Sequence, residues 1–215
     1  MAPISGGGRG RETPQGMGAN GGMGGGFSGG NGHPMSGGRT ASGGELGIIP
    51  SWTSVTVQGL KGAAHHNGKV AQVESYDAAD GRYAVRLPNG EGVRIKFDNL
   101  LQRLEAECRG VQSETQATLD GKTALVVGHD AEKGRYLVDL RGGDVRGGQR
   151  TSLEPANLVL PSGARCKVAG LASAGAAKWN GHIGAIVEFD REVGRYVVQM
   201  TREEQLKIRP VNLVL

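Results

Sequence analysis

Cysteine, aromatic residues and long apolar runs are all scarce. The 215 residues include only two cysteines, with no Cys-x-x-Cys pair, which excludes a disulfide-built scaffold and an all-cysteine zinc site. Aromatics make up 4% and apolar residues 37% of the chain. This is below the roughly 45–50% apolar share of ordinary globular domains, so several small cores are expected in place of one large core. No stretch of about 18 consecutive apolar residues occurs, and no basic-then-apolar leader opens the sequence. Neither membrane insertion nor Sec-type export is therefore expected, and the expected location is cytoplasmic or nuclear, with an organelle left open.

Glycine is abundant instead. Of 39 glycines, 18 fall within residues 1–44. That segment has no apolar period and too little to bury against an ordering cost of roughly 1–2 kcal/mol per residue, so it reads as a disordered Gly-rich tail, with residues 45–54 as a linker. Arg9, Arg11 and Arg39 against Glu12 leave the tail at +2, so the other 171 residues hold only +2 of the net +4. A nearly neutral folded part argues against a broad phosphate-binding face.

From residue 55 the sequence repeats three times. Asn67-Gly68 recurs as Asp120-Gly121 and Asn180-Gly181. Thirteen residues after each of these glycines stands another, opening Gly81-Arg82-Tyr83, Gly134-Arg135-Tyr136 and Gly194-Arg195-Tyr196. Asp77, Asp130 and Asp190 precede those triplets by four positions, and Asn99-Leu100, Asn157-Leu158 and Asn212-Leu213 close the units. Gly59-Leu60, Gly110-Val111 and Gly170-Leu171 open the loops that lead to the Asn-Gly or Asp-Gly pair. The units span 55–103, 104–161 and 164–215.

Each unit has the pattern of β-structure. The alternation Tyr83, Val85, Leu87 is matched by Tyr136, Val138, Leu140 and by Tyr196, Val198, Met200, a period of two that places each trio on one core-facing side. Ala71 and Val73, Ala124 and Val126, and Gly184 and Ile186 supply a preceding strand; Val93 and Ile95, Leu153, and Leu206 and Ile208 supply a following one. Asp77 to Gly81 forms a hairpin loop, Pro88-Asn89-Gly90-Glu91 a tight turn, and Pro155 and Pro210 stop a strand. Four or five short strands in about 50 residues, after one long first loop, predict a small closed barrel.

The order Gly-Leu, long loop, Asn-Gly, Asp-x-x-x-Gly-Arg-Tyr-x-Val-x-Leu and closing Asn-Leu resembles the SH3-like barrel repeats of many algal and protist proteins. Its first half is similar to the KOW segment of ribosomal and transcription-elongation barrels. The resemblance implies an all-β chain of three tandem SH3-like barrels; it implies no reaction. The units differ in length: the first loop is two residues shorter in unit 1, and unit 2 carries five extra residues between Gly134 and Asn157.

No catalytic constellation is evident. His33, His65, His66, His129 and His182 stand at no metal-ligand spacing, and the adjacent His65 and His66 are expected to point apart. Cys108 and Cys166 occupy apolar positions on leading strands, as buried structural thiols do. No phosphate-cradling or nucleophile-elbow motif occurs, so neither enzyme activity nor a cofactor is expected.

Two classes of function stay open. In the first, a scaffold or adaptor presents three related surfaces to protein partners, with Arg82, Arg135, Arg195 and Trp179 as candidate contacts. Trp179 is the aromatic expected to be exposed, and the three arginines also suit bland cross-hairpin pairs with Asp77, Asp130 and Asp190. In the second, an RNA- or ribosome-associated protein uses Arg9 and Arg11 of the tail with Arg141, Arg146 and Arg150 of the inserted loop, since Arg-Gly triplets lay guanidinium groups along phosphates. Against that, residues 110–161 hold six basic and seven acidic side chains. No motif fixes the oligomeric state.

Overall fold

The computed structural model describes residues 46–111, 119–140 and 149–215. The expected disordered tail, with Arg9, Arg11 and Arg39, and the inserted Arg141 and Arg146 lie outside these residues.

The described chain is all-β, as the repeats predict. Unit 1 contains β1 (Ser54–Val57), β2 (Val70–Asp77), β3 (Arg82–Arg86), β4 (Gly92–Lys96) and β5 (Leu100–Gln102). Unit 2 contains β6 (Glu105–Cys108), β7 (Thr123–Asp130), β8 (Arg135–Leu140), β9 (Gln149–Leu153) and β10 (Leu158–Val159). Unit 3 contains β11 (Arg165–Val168), β12 (Ile183–Asp190), β13 (Arg195–Gln199), β14 (Gln205–Ile208) and β15 (Leu213–Val214). Each unit forms one antiparallel sheet in the same order, β4-β3-β2-β1-β5 and its equivalents. A 3₁₀ turn precedes the last strand each time, over Phe97–Asn99, Pro155–Asn157 and Pro210–Asn212.

The long second strand bends at the same place in every unit, with a register shift across Val73/Ser75, Val126/Gly128 and Ile186/Glu188. A bulge at a fixed position lets one strand serve two faces of a curled sheet. Period-two alternation turns Tyr83, Val85, Tyr136, Val138, Tyr196 and Val198 fully inward. Gly81, Gly134 and Gly194 adopt φ of 66°, 60° and 64°, the left-handed backbone that a tight hairpin needs and that glycine adopts without strain. In unit 3 the glycine at 184 also has a packing role. A Cβ there would lie 2.6 Å from Val198 Cγ1 and 2.7 Å from Met200 Sδ, whereas units 1 and 2 place Ala71 and Ala124 at that position.

The cores are not three separate ones. Unit 1 has its own, but the buried residues of units 2 and 3 form one continuous cluster that also takes in Leu101. The join is reciprocal: the Leu160 N–H, at the end of unit 2, donates to the Tyr196 hydroxyl of unit 3 at 2.9 Å, and the Leu215 N–H, at the end of unit 3, donates to the Tyr136 hydroxyl of unit 2 at 3.1 Å. The two Pro-x-Asn turns abut. Contacts of i on j and j on i are the signature of an approximate twofold.

The same device explains residues 46–54, expected only as a linker. Ile49 is buried, and its N–H donates to the Tyr83 hydroxyl at 3.1 Å. Ile49-Pro50-Ser51 stands to unit 1 as Leu160-Pro161-Ser162 stands to unit 3. Thr53 N–H donates to Pro50 O at 3.2 Å and Ala164 N–H to Pro161 O at 3.3 Å. No described helix is long and apolar enough to cross a membrane.

Candidate functional site

Most of the recurring polar residues hold the architecture together. Asn67 closes the long first loop of unit 1: its side chain accepts from Leu60 N–H and donates to Leu60 O, both at 2.9 Å. Asn180 makes the same pair with Leu171, and Asp120 accepts from Gly110 N–H. Asn99, Asn157 and Asn212 donate to Gln58 O, Arg109 O and Ala169 O, tying the 3₁₀ turn to the end of the leading strand.

The arginines pair differently from the sequence expectation. Arg94 on β4, not Arg82, reaches Asp77 at 2.5 Å and Asp80 at 2.9 Å. Arg82 is 3.8 Å from Asp80 and donates to Arg94 O. Arg135 binds Glu154 at 2.7 Å, and Arg195 donates to Lys207 O. Asp130 pairs with Lys133, and Asp190 with Lys207 at 2.9 Å. A guanidinium at the start of the central strand lies alongside the third strand, so it meets that strand's groups before those across the hairpin. The loop amide of Ala79, then Arg94, hold the Asp77 carboxyl below its ordinary range, and Lys207, then the loop amides of Val193 and Glu192, do the same for Asp190. The three arginines are half-buried, each in its own hairpin.

Trp179 is not the exposed aromatic. It is half-buried against the core of unit 3, its indole N–H donates to Glu204 at 3.0 Å, and its ring meets His182 edge-on at 5.4 Å. His65 and His66 do not point apart: their ring centroids are 3.9 Å apart, and His66 is buried. Cys108 and Cys166 are buried as expected, and burial pushes both thiols up, Cys166 to about 12. Neither supplies a thiolate at neutral pH. Among the described residues no three His, Cys, Asp or Glu side chains gather to hold a metal.

Two features remain that the architecture does not account for. The first is Trp52, 72% exposed, with φ of 70°. It is the third residue of the turn Pro50-Ser51-Trp52-Thr53, and its N–H donates to Val73 O at 2.7 Å. At the matching place in unit 3, Gly163 has φ of 85° and donates to Ile186 O at 2.8 Å. Turns with positive φ at that position favour glycine; a β-carbon there costs about 1–2 kcal/mol. Aligning 49–53 on 160–164 gives the sequence signal for it, a Trp where unit 3 has Gly.

The second is a cleft of about 660 Å³ between units 1 and 2. Its walls include Val57, Gly59, Gly68 and Val70 on one side and Val127, Gly128, His129 and Leu137 on the other, with Arg103, Lys133, Arg150 and Asp130 around them. Burial holds the His129 imidazole below its ordinary range, and its ring packs on Tyr136 at 4.9 Å. Arg150, singled out from the inserted loop, is thus brought together with Arg103 and Lys133. Sequence alone could not find this grouping, because its members belong to different units. Compared with known protein families and with curated proteins, the chain matches none.

Proposed function

We propose that the chain is a non-catalytic scaffold or adaptor, an accessory part of a larger assembly, in which three SH3-like barrels present related surfaces to protein partners. The strand order and the 3₁₀ turn before the last strand support the SH3-like reading. Trp52 carries the functional one. A large aromatic kept exposed, on a strained backbone that glycine would relieve, lowers the stability of the free chain, and such strain collects where partners bind. Tryptophan is also among the side chains that dominate binding energy at interfaces. Its chain neighbours Pro50, Ser51 and Thr53 are uncharged, and Gln72 donates to its carbonyl. Arg82, Arg135, Arg195 and Trp179, on the three units, are secondary candidate contacts.

The test is capture of partners from extract by the immobilised full chain, with and without nuclease. Protein partners that survive nuclease, and that are lost with Trp52→Gly while the melting temperature holds, are the expected result. Material that is mostly RNA, released by nuclease and retained by Trp52→Gly, overturns the scaffold in favour of an RNA-associated protein acting through Arg9, Arg11, Arg141, Arg146 and Arg150.

A further inference from the structure

The cleft between units 1 and 2 is independent of Trp52, which is not among its lining residues. Its volume falls within the roughly 300–1,000 Å³ typical of small-molecule sites. Three cations line it, Arg103, Lys133 and Arg150, against one carboxylate, Asp130, and His129 is held toward its neutral form by burial. The lining therefore carries a positive balance, even with Asp139 beside Arg150 just outside it, and that balance suits a phosphate monoester.

Among the described residues none of the three cations makes a close ion pair. Lys133 is 3.4 Å from Asp130, Arg150 is 3.7 Å from Asp139, and the Arg103 guanidinium donates to the Thr56 hydroxyl at 3.4 Å. Lys133 and Asp130 are both exposed at their side chains, and pairs of this kind contribute about 0–1 kcal/mol. Arg150 is itself exposed and stands at a long distance from the half-buried Asp139, so a phosphate can compete for both cations. The cations are mounted on separate elements: Arg103 where β5 runs into β6, Lys133 in the β7–β8 hairpin loop and Arg150 on β9. Charge thus converges from both units onto one space.

The rest of the lining is of a different kind. Gly59 and Gly68 on one wall and Gly128 on the other offer backbone without side chains, and Val70, 39% exposed, adds an apolar surface beside the first two. Such walls accept a flat or compact organic group, and Thr56 and Ser152 line the same space. We propose that this cleft binds a phosphate monoester of the nucleotide class, with the phosphate among Arg103, Lys133 and Arg150 and the organic body against the Gly59–Gly68–Val70 wall.

Titration of the full chain with AMP, inorganic phosphate and a 5′-phosphorylated oligoribonucleotide, followed calorimetrically, tests this. AMP is expected to bind at least tenfold more tightly than inorganic phosphate. Charge-assisted hydrogen bonds of this type are each worth a factor of about ten or more, so Arg103→Gln and Arg150→Gln should each weaken AMP at least tenfold, whereas Arg209→Gln, outside the cleft, should not. Displacement of AMP by the oligonucleotide at lower concentration identifies the source as an RNA terminus; its failure to displace AMP identifies a free nucleotide. Unchanged thermal midpoints show that the variants remain folded. No AMP binding at millimolar concentration, equal affinity for AMP and inorganic phosphate, or AMP binding indifferent to Arg103→Gln and Arg150→Gln overturns the proposal. None of these outcomes bears on capture by Trp52.

Discussion

Trp52 is where single-residue energetics and function pull apart. Replacing it by glycine relieves about 1–2 kcal/mol of left-handed strain, against about 0.4–1 kcal/mol for the extra freedom glycine gains in the unfolded chain. With 72% of the side chain already in solvent, little burial is lost. Trp52→Gly is therefore expected to hold or raise stability, by up to about 1 kcal/mol, read as the midpoint of denaturant unfolding. A clear loss of stability would show that the indole is held in place by packing and would remove the argument for a partner. Gly163→Trp, which builds the same strain into unit 3, should lower the midpoint.

At the scale of the element, the closing Asn is the fastener of each unit. Asn157 donates to Arg109 O at 3.0 Å and to Gly110 O at 2.9 Å, and so holds the Pro155–Asn157 turn on the leading strand. Asn157→Ala leaves those carbonyls without these donors and is expected to cost about 1–2 kcal/mol, visible as earlier loss of amide-exchange protection in β6 and β10. The hairpin tyrosines add a pH limit. Burial raises the Tyr196 phenol to about 12 and pushes Tyr136 higher still, while an unfolded tyrosine ionises near 10. Because the folded value is raised, the stabilisation is complete below about pH 10 and declines as pH climbs toward the folded value. Melting temperature followed from pH 8 to 12 should fall beyond about pH 10, with tyrosinate absorbance rising at the unfolding step.

For the whole molecule, the unequal cores predict unequal cooperativity. Val85, Val138 and Val198 are all fully buried, and an aspartate at any of them places an unpaired charge in a core at a cost of several kcal/mol. The consequences should differ in extent. Val85→Asp is expected to release amide protection within unit 1 and leave units 2 and 3 protected. Val138→Asp should take unit 3 with unit 2, because the two share one core and exchange their terminal leucine bonds to Tyr196 and Tyr136. Loss confined to unit 2 in Val138→Asp would show that the shared core carries little coupling energy. The same join packs units 2 and 3 against each other through one core.

Periodicity and turn chemistry were enough to specify each unit. Alternation assigned the inward faces of Tyr83, Val85, Tyr136, Val138, Tyr196 and Val198, and glycine spacing assigned the hairpins at Gly81, Gly134 and Gly194, because side-chain direction along a strand and left-handed backbone in a turn are local properties. The partners of the arginines, the burial of Trp179 and Ile49, the exchange of ends between units 2 and 3, and the meeting of Arg103, Lys133 and Arg150 were decided only in three dimensions. Each depends on which surface of one unit lies against another, and a repeat pattern constrains the interior of its unit while leaving the exterior free. For the same reason the sequence singled out Arg150 without its neighbours and passed over Trp52, whose meaning comes from an equivalent turn 111 residues away.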